Sequence, residues 1–309
     1  MHLFSGSSHP ALANALAREL GIPLGKIALK KFSCGENYVK FEESVRGQDV
    51  YLLQTATHRP NEDIMELLLM CQAAKLSFAH TVHVVLPHFP YARQDRVTEP
   101  REPISAKLIA HLLEEAGADH VMTLELHSDQ IQGFFSVPAD ALSSRPIFTK
   151  YFKEKNLPDP VVVAPDVGGA KRAKKFADTL GAELAILHKT RPAHQTAEIH
   201  EIVGDIKDKT CILYDDLIDT AGTLVSAKKL LRENGAREEM YAAATHAVLS
   251  GPAVERLRQA AFTETVVTDS MPLDPKAFPG LRILPIAPLL AWVIQHVESG
   301  QSVTAIYKR

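Results

Sequence analysis

Cysteine is scarce in this sequence. Cys34, Cys71 and Cys211 are the three thiols among 309 residues, and they form no C-x-x-C pair. Neither a disulfide framework nor a thiolate zinc site is indicated, and a reducing cytoplasm fits best. A dominant charge is also missing: 34 basic residues face 37 acidic ones for a net charge of −3. That balance lacks the electrostatic footprint of a protein that binds nucleic acid or an anionic membrane. Long hydrophobic runs are absent too. The longest uncharged apolar stretch, residues 283–297, contains Pro285 and Pro288 and falls short of the ~20 residues that span a bilayer. The first ten residues carry no Lys or Arg, and Ser5-Gly6-Ser7-Ser8 interrupts them, so no secretory signal is expected. Lys189-Thr190 has no preceding glycine run, and the 14 histidines form no H-E-x-x-H, which disfavours a P-loop ATPase and a helical zinc site.

What is present is an ordinary globular composition, 46% hydrophobic and 23% charged, over a length that favours two domains. Apolar runs at 50–53, 82–86 and 121–124 alternate with helical patterns at 62–75 and 104–115, the rhythm of an α/β domain with a parallel sheet. The helix at 104–115 is expected to start near Pro103, to bury Ile104, Leu108 and Leu112, and to end at Gly117. A proline-rich stretch of weaker pattern, 137–160, holds one helix near 147–155 and marks the boundary. The rhythm then resumes, with strands at 161–164, 185–187, 211–214 and 241–248 and helices at 170–180 and 223–234. The expected domains are therefore 1–142 and 143–290, with the tail 291–309 returning to the first. The strand-helix-strand spacing at 50–86 resembles that at 211–248.

The strongest chemical signal is the segment from Cys211 to Thr223, an apolar strand ending in Asp215-Asp216 and running through Asp219-Thr220-Ala221-Gly222-Thr223 into a helix. Strand ends of this kind carry the ligands of open α/β sheets. The loop offers backbone N–H groups, two hydroxyls and a helix N-terminus to a phosphate, while the carboxylates suit sugar hydroxyls or a hydrated metal. The alternative, an acidic turn in which Thr223 merely caps the helix, leaves three aspartates in five residues unexplained. Asp166 before Gly168-Gly169, and Lys189-Thr190-Arg191 after 185–188, would reach the same cleft, although each also reads as an ordinary turn or a solvated loop. Residues 89–103 interleave Arg93, Arg96 and Arg101 with acids and prolines, a composition that fits a polyphosphate-clamping lid or a solvated loop. His127, followed by Ser128-Asp129 at another strand end, is the best histidine ligand candidate.

Taken in order, Phe32-Ser33-Cys34-Gly35-Glu36, Glu43-Ser44-Val45-Arg46-Gly47, Phe89-Pro90-Tyr91-Ala92-Arg93-Gln94-Asp95, Leu126-His127, Gln130-Ile131-Gln132-Gly133-Phe134-Phe135, Asp166-Val167-Gly168-Gly169-Ala170-Lys171-Arg172 and Asp215 to Thr223 resemble the class I ribose-phosphate diphosphokinases, the phosphoribosyl pyrophosphate (PRPP) synthetases. The resemblance covers nearly the whole chain. It implies an α/β fold of two tandem phosphoribosyltransferase-like domains, with ATP bound at their junction. It also implies transfer of the diphosphoryl group of ATP to the 1-hydroxyl of ribose 5-phosphate, and a homohexamer built of dimers. By the same resemblance Asp219, Thr220, Ala221, Gly222 and Thr223 bind the 5-phosphate, Asp215 and Asp216 the ribose hydroxyls and metal, and Arg191 a substrate phosphate. Lys189 stabilises the transition state, His127 and Asp166 hold Mg²⁺, Arg93 and Gln94 bind ATP, and inorganic phosphate activates. The turn Phe32, Cys34, Gly35 and Glu36 takes the adenine, supplied from a neighbouring subunit. Where the family usually has Asp or Asn this chain has Cys34, and Glu125 stands where an Asp is usual. Competing readings are a PRPP-consuming phosphoribosyltransferase, which needs only one such domain, a silent partner subunit, and a PRPP-sensing regulator, for which no DNA-reading helix is evident.

Overall fold

The computed structural model describes residues 1–190 and 199–308. They form two compact units: Met1–Ser143 with Ser270–Pro272 and Pro285–Arg309 make the first, and Ser144–Asp269 with Leu273–Leu284 make the second. Residues 285–290, assigned from sequence to the second domain, thus cluster with the first unit.

The first unit runs β1 (His2–Ser5), α1 (Pro10–Leu20), β2 (Ile27–Lys31), β3 (Asn37–Phe41), β4 (Asp49–Leu53), α2 (Pro60–Leu76), β5 (Thr81–Leu86), α3 (Ser105–Glu115), β6 (His120–Leu124) and β7 (Ala139–Leu142). Strands β1-β4-β5-β6-β7 form a parallel sheet in that order, and β2 with β3 forms a separate antiparallel ribbon. Every residue of β6 is buried, as expected of a parallel strand covered on both faces. Leu67 and Met70 of α2 and Ile109 and Leu113 of α3 pack in one cluster with Val84, Leu86 and Val121. The buried stripe of α3 differs from the expected one. Its buried residues are Ala106, Ile109, Ala110 and Leu113, whereas Leu108 and Leu112 are exposed. At about 100° per residue the two rows lie on roughly opposite faces, and the row containing alanines is the one that fits closely against the sheet.

The second unit runs α4 (Arg145–Lys155), β8 (Pro160–Ala164), α5 (Ala170–Leu180), β9 (Glu183–Thr190), β10 (Ile199–Val203), β11 (Thr210–Ile218), α6 (Gly222–Glu233), β12 (Met240–Ala247), α7 (Ala253–Ala260), β13 (Glu264–Thr268) and β14 (Leu281–Leu284). Its sheet has the order β10-β9-β8-β11-β12-β13-β14, parallel throughout except at β10. Phe148, Phe152 and Phe176 of α4 and α5 fill one face, while Leu224, Leu231 and Leu257 of α6 and α7 fill the other. The apolar stretch at 283–297 resolves into the end of β14 and α8 (Ala287–Glu298), which packs on α1 in the first unit. No helix of the described residues is long and apolar enough to cross a membrane.

A polar ladder crosses the first sheet. The Tyr51 ring of β4 stacks on His83 of β5 at 4.3 Å, and His83 Nδ1 lies 3.0 Å from His120 Nδ1 of β6. His120 Nε2 lies 3.1 Å from Asp140 Oδ2 of β7, and the Tyr51 hydroxyl donates to Glu298 of α8 at 2.8 Å. Burial, and then the neighbouring His120, push His83 down to about 4. The folded state therefore binds fewer protons than the unfolded state between that value and the ordinary histidine value of about 6.5. Stability is full above pH ~6.5 and is lost as pH falls towards 4. Denaturant unfolding across this window is expected to show a loss of about 1–3 kcal/mol that His83→Leu flattens. An identical pH slope in the variant would exclude His83 as its source.

Candidate active site

Strands β8 and β11 are neighbours, with Val161 beside Cys211 and Val163 beside Leu213, so their carboxyl ends emerge together. After β8, Asp166 Oδ1 accepts the Gly169 N–H at 2.9 Å. A Cβ placed on Gly169 would lie 3.7 Å from Asp166 Oδ1 and 3.9 Å from Asp215 Oδ1, so the β8 loop lies against the acidic end of β11. That end extends further than expected. The sequence pattern closes the strand at 214, but pairing of Asp215 with Ala244 and Ile218 with Ala247 carries it to Ile218. Two acids inside a strand need a counter-charge, and α5 supplies one: Arg172 Nη1 lies 3.3 Å from Asp215 Oδ1 and 3.0 Å from Asp216 Oδ1. Asp215 Oδ1 also accepts the Asp216 N–H at 2.9 Å. Burial, and then the adjacent Asp216 carboxyl, hold Asp215 well above the usual carboxylate range, against the pull of Arg172.

Beyond β11 the loop turns through Ala221 at φ 60° and ψ 5°, and α6 starts at Gly222 with no side-chain cap. Thr223 is exposed and does not cap the helix, so the purely structural reading of this threonine fails. The first-turn N–H groups of α6 thus have no side-chain cap, and such groups, with hydroxyls such as those of Thr220 and Thr223 nearby, can bind an anion. Lys189 lies near the end of β9, which runs parallel to β8 and so finishes on the same sheet edge as Asp166. Arg191 lies outside the described residues.

The first unit gathers a second set. Phe32, Cys34, Gly35 and Glu36 share the turn between β2 and β3, closed by Gly35 N–H to Phe32 O and Phe32 N–H to Glu36 O, each at 2.8 Å. Phe32 is 53% exposed, Cys34 is an exposed free thiol, and the Phe32 ring meets Tyr38 edge-on at 5.7 Å. Residues 89–103 contain no helix or strand. Within them Arg93 is exposed, and Gln94 accepts from the Ser105 hydroxyl at 2.6 Å, tying it to the start of α3. His127 is exposed just beyond β6. Glu125 takes the left-handed conformation at φ 46°, and its Oε2 accepts from Ser143 at 3.0 Å. The longer carboxylate therefore turns to Ser143.

Among the described residues no three His, Cys, Asp or Glu side chains converge as a metal cluster. A Mg²⁺ ion is commonly held by one or two carboxylates and completes its shell with water and substrate phosphates. Asp166 is exposed and has only Oδ1 tied to Gly169, leaving a hard oxygen donor. Arg172 is the site residue that sequence reasoning did not assign. It was visible as the third helical position after Gly168-Gly169, but nothing in the spacing matched it to acids more than 40 residues away.

Residues 1–117 match the family described as the N-terminal domain of ribose phosphate pyrophosphokinase, and residues 193–308 match the phosphoribosyl synthetase-associated domain. The chain is 49% identical over 308 residues to a ribose-phosphate pyrophosphokinase of Bacillus subtilis, covering 99% of this chain and 97% of that one. The figures are the same for that of Oceanobacillus iheyensis. The crystal structure of phosphoribosylpyrophosphate synthetase from Mycobacterium smegmatis matches with a TM-score of 0.91 at 45% identity, covering 97% of this chain and 99% of that one. The fold is thus two tandem phosphoribosyltransferase-like domains.

The ion triad is open to test on stability alone. Arg172→Ala leaves Asp216, whose side chain is 5% exposed, without this counter-charge and is expected to cost about 2–3 kcal/mol in denaturant unfolding at pH 7.5. A loss below about 0.5 kcal/mol would place the pair with solvent-screened surface bridges.

Proposed function

The chain belongs to the ribose-phosphate pyrophosphokinase family, and from that premise we propose that it transfers the diphosphoryl group of ATP to the 1-hydroxyl of D-ribose 5-phosphate. The products are PRPP and AMP. The observation that carries this reading is the cradle after β11: an uncapped helix N-terminus beside two carboxylates complements a molecule bearing both a phosphate and vicinal hydroxyls.

In this reading Asp219, Thr220, Ala221, Gly222 and Thr223 surround the 5-phosphate with amides and hydroxyls, and Asp215 and Asp216 accept from the ribose hydroxyls. The exposed turn of Phe32, Cys34, Gly35 and Glu36 takes adenine, with Phe32 as the stacking face. Arg93 and Gln94 hold the triphosphate, and Arg191 holds a substrate phosphate. The sugar's 1-oxygen forms a bond to the β-phosphorus, the bond from that phosphorus to the oxygen bridging the α-phosphate breaks, the hydroxyl proton is lost, and AMP leaves. Lys189 supplies positive charge where negative charge shifts onto the oxygens of the transferring group. Mg²⁺, held by His127 and Asp166, would neutralise triphosphate charge. The enzyme works as a cytoplasmic homohexamer built of dimers and activated by inorganic phosphate. A PRPP-consuming transferase needs one such domain, whereas this chain has two and matches full-length pyrophosphokinases.

Incubation with ATP, Mg²⁺, phosphate and ribose 5-phosphate is expected to yield AMP and PRPP in equal amounts, read by anion-exchange chromatography. Stoichiometric ADP would defeat the reading. Lys189→Ala is expected to lower kcat by ~10²- to 10³-fold, the scale of one preorganised electrostatic contact, with little change in the KM for ribose 5-phosphate. A folded variant within about threefold of the parent kcat would remove Lys189 from the catalytic group, since such a contact is worth ~10²-fold or more.

A further inference from the structure

The loop after β11 is pinned from one side by the segment that follows β12. The Ser250 N–H donates to the Asp219 carbonyl at 3.0 Å, and the Leu249 N–H to the Ile218 carbonyl at 3.0 Å. Arg256, on α7, donates from Nη1 to the Thr220 carbonyl at 3.0 Å. The same Nη1 lies 3.4 Å from where a Cβ on Gly222 would stand, so the guanidinium is seated against the back of the loop. Ala221, between Thr220 and Gly222, holds φ 60°, a conformation that a residue with a Cβ keeps only when its surroundings fix it.

Peptide geometry turns this brace into a directional device. The described chain contains no cis peptide, and in a trans peptide the C=O and the next residue's N–H point in opposite directions. Fixing the Asp219 and Thr220 carbonyls towards the α7 side therefore aims the Thr220 and Ala221 N–H groups away from it, into the open side of the loop. Resting on the reading that this loop holds the 5-phosphate, we propose that Arg256 is a positioning residue for ribose 5-phosphate: it does not touch the sugar phosphate but locks the Thr220–Ala221 peptide so that its N–H faces the anion.

Arg256 is exposed, and its hydrogen bond to the loop ends on one carbonyl, so its removal can be read apart from folding. Arg256→Ala is expected to raise the KM for ribose 5-phosphate by on the order of tenfold or more, a typical consequence of misplacing a binding group, while the KM for ATP and the Tm stay near those of the parent. Arg256→Lys, which keeps a cation and a donor, should recover part of the loss. Guanidinium ion added to Arg256→Ala should do the same while leaving the parent protein unaffected. Titration calorimetry with ribose 5-phosphate reads the loop without turnover. A parent protein that binds ribose 5-phosphate, with Arg256→Ala binding equally well, overturns the positioning role alone. A parent that does not bind it overturns the 5-phosphate reading together with the inference. A parallel rise in both KM values with a fall in Tm, unrelieved by guanidinium, also overturns the proposal, because it marks a residue that only supports the fold.

Discussion

The parallel pairing of β8 with β11 governs the architecture of the second unit and the chemistry at its edge. From β8 the chain steps to β9 and β10 on one side, then returns to lay β11 on the other and continues outward through β12, β13 and β14. Crossovers are right-handed, so this reversal sends α5 to one face and α6 and α7 to the other, as the two core clusters record. The loops leaving β8 and β11 diverge towards opposite faces, and a crevice opens between them at the carboxyl edge. Asp166, Arg172, Asp215 and the Asp219-to-Thr223 loop meet there for that reason. Their positions follow from the strand order and need no specialised scaffold.

The residues in the crevice work against stability. Asp215 and Asp216 are consecutive residues within β11, and Arg172 Nη1 lies near both. Burial, and then the adjacent Asp216 carboxyl, hold Asp215 well above the usual carboxylate range despite Arg172, the electrostatic sign of carboxylates removed from water. Ala221 adds a left-handed backbone at a residue with a Cβ, at about 1 kcal/mol. Alternating apolar residues at 215 and 216 and glycine at 221 would suit the fold better. The arrangement is intelligible as preorganisation, in which acceptors and amide donors are set before the ligand arrives and the surrounding strands bear the cost.

Much of this was legible in the chain. The runs at 50–53, 82–86, 121–124 and 161–164 announced strands because a parallel strand buried on both faces is apolar throughout, and the acid-rich segment after Cys211 marked the carboxyl edge of the second sheet. The ribbon of β2 and β3 was not legible as a pair of strands, since Lys30, Lys31 and Lys40 break its pattern and many of its positions are only half buried. Strand β7 has only four residues, Asp140 among them, too few for a period to register. On α3 the large residues drew attention away from the alanine-lined face that packs. Arg172 and Arg256 were invisible for a different reason: each acts through a contact 36 or more residues away in the chain, and local pattern carries no information about such pairings.

The first unit shows why a similar rhythm did not produce a second cradle. The β4-α2-β5 and β11-α6-β12 segments each join adjacent parallel strands through one helix, the likeness seen in sequence. In the first sheet, however, β4, β5, β6 and β7 follow one another in a single direction, so α2 and α3 pack on the same face and successive loops do not diverge. Along that run there is no reversal of the kind found between β8 and β11. The residues of this unit that the family resemblance assigns to ATP sit instead on a ribbon turn, Phe32 to Glu36, and on the irregular segment around Arg93 and Gln94. A long, flexible polyphosphate suits such loops, which can close along its length. A compact sugar phosphate, whose reacting hydroxyl must be held at a fixed distance and angle, suits the switch point of the second sheet.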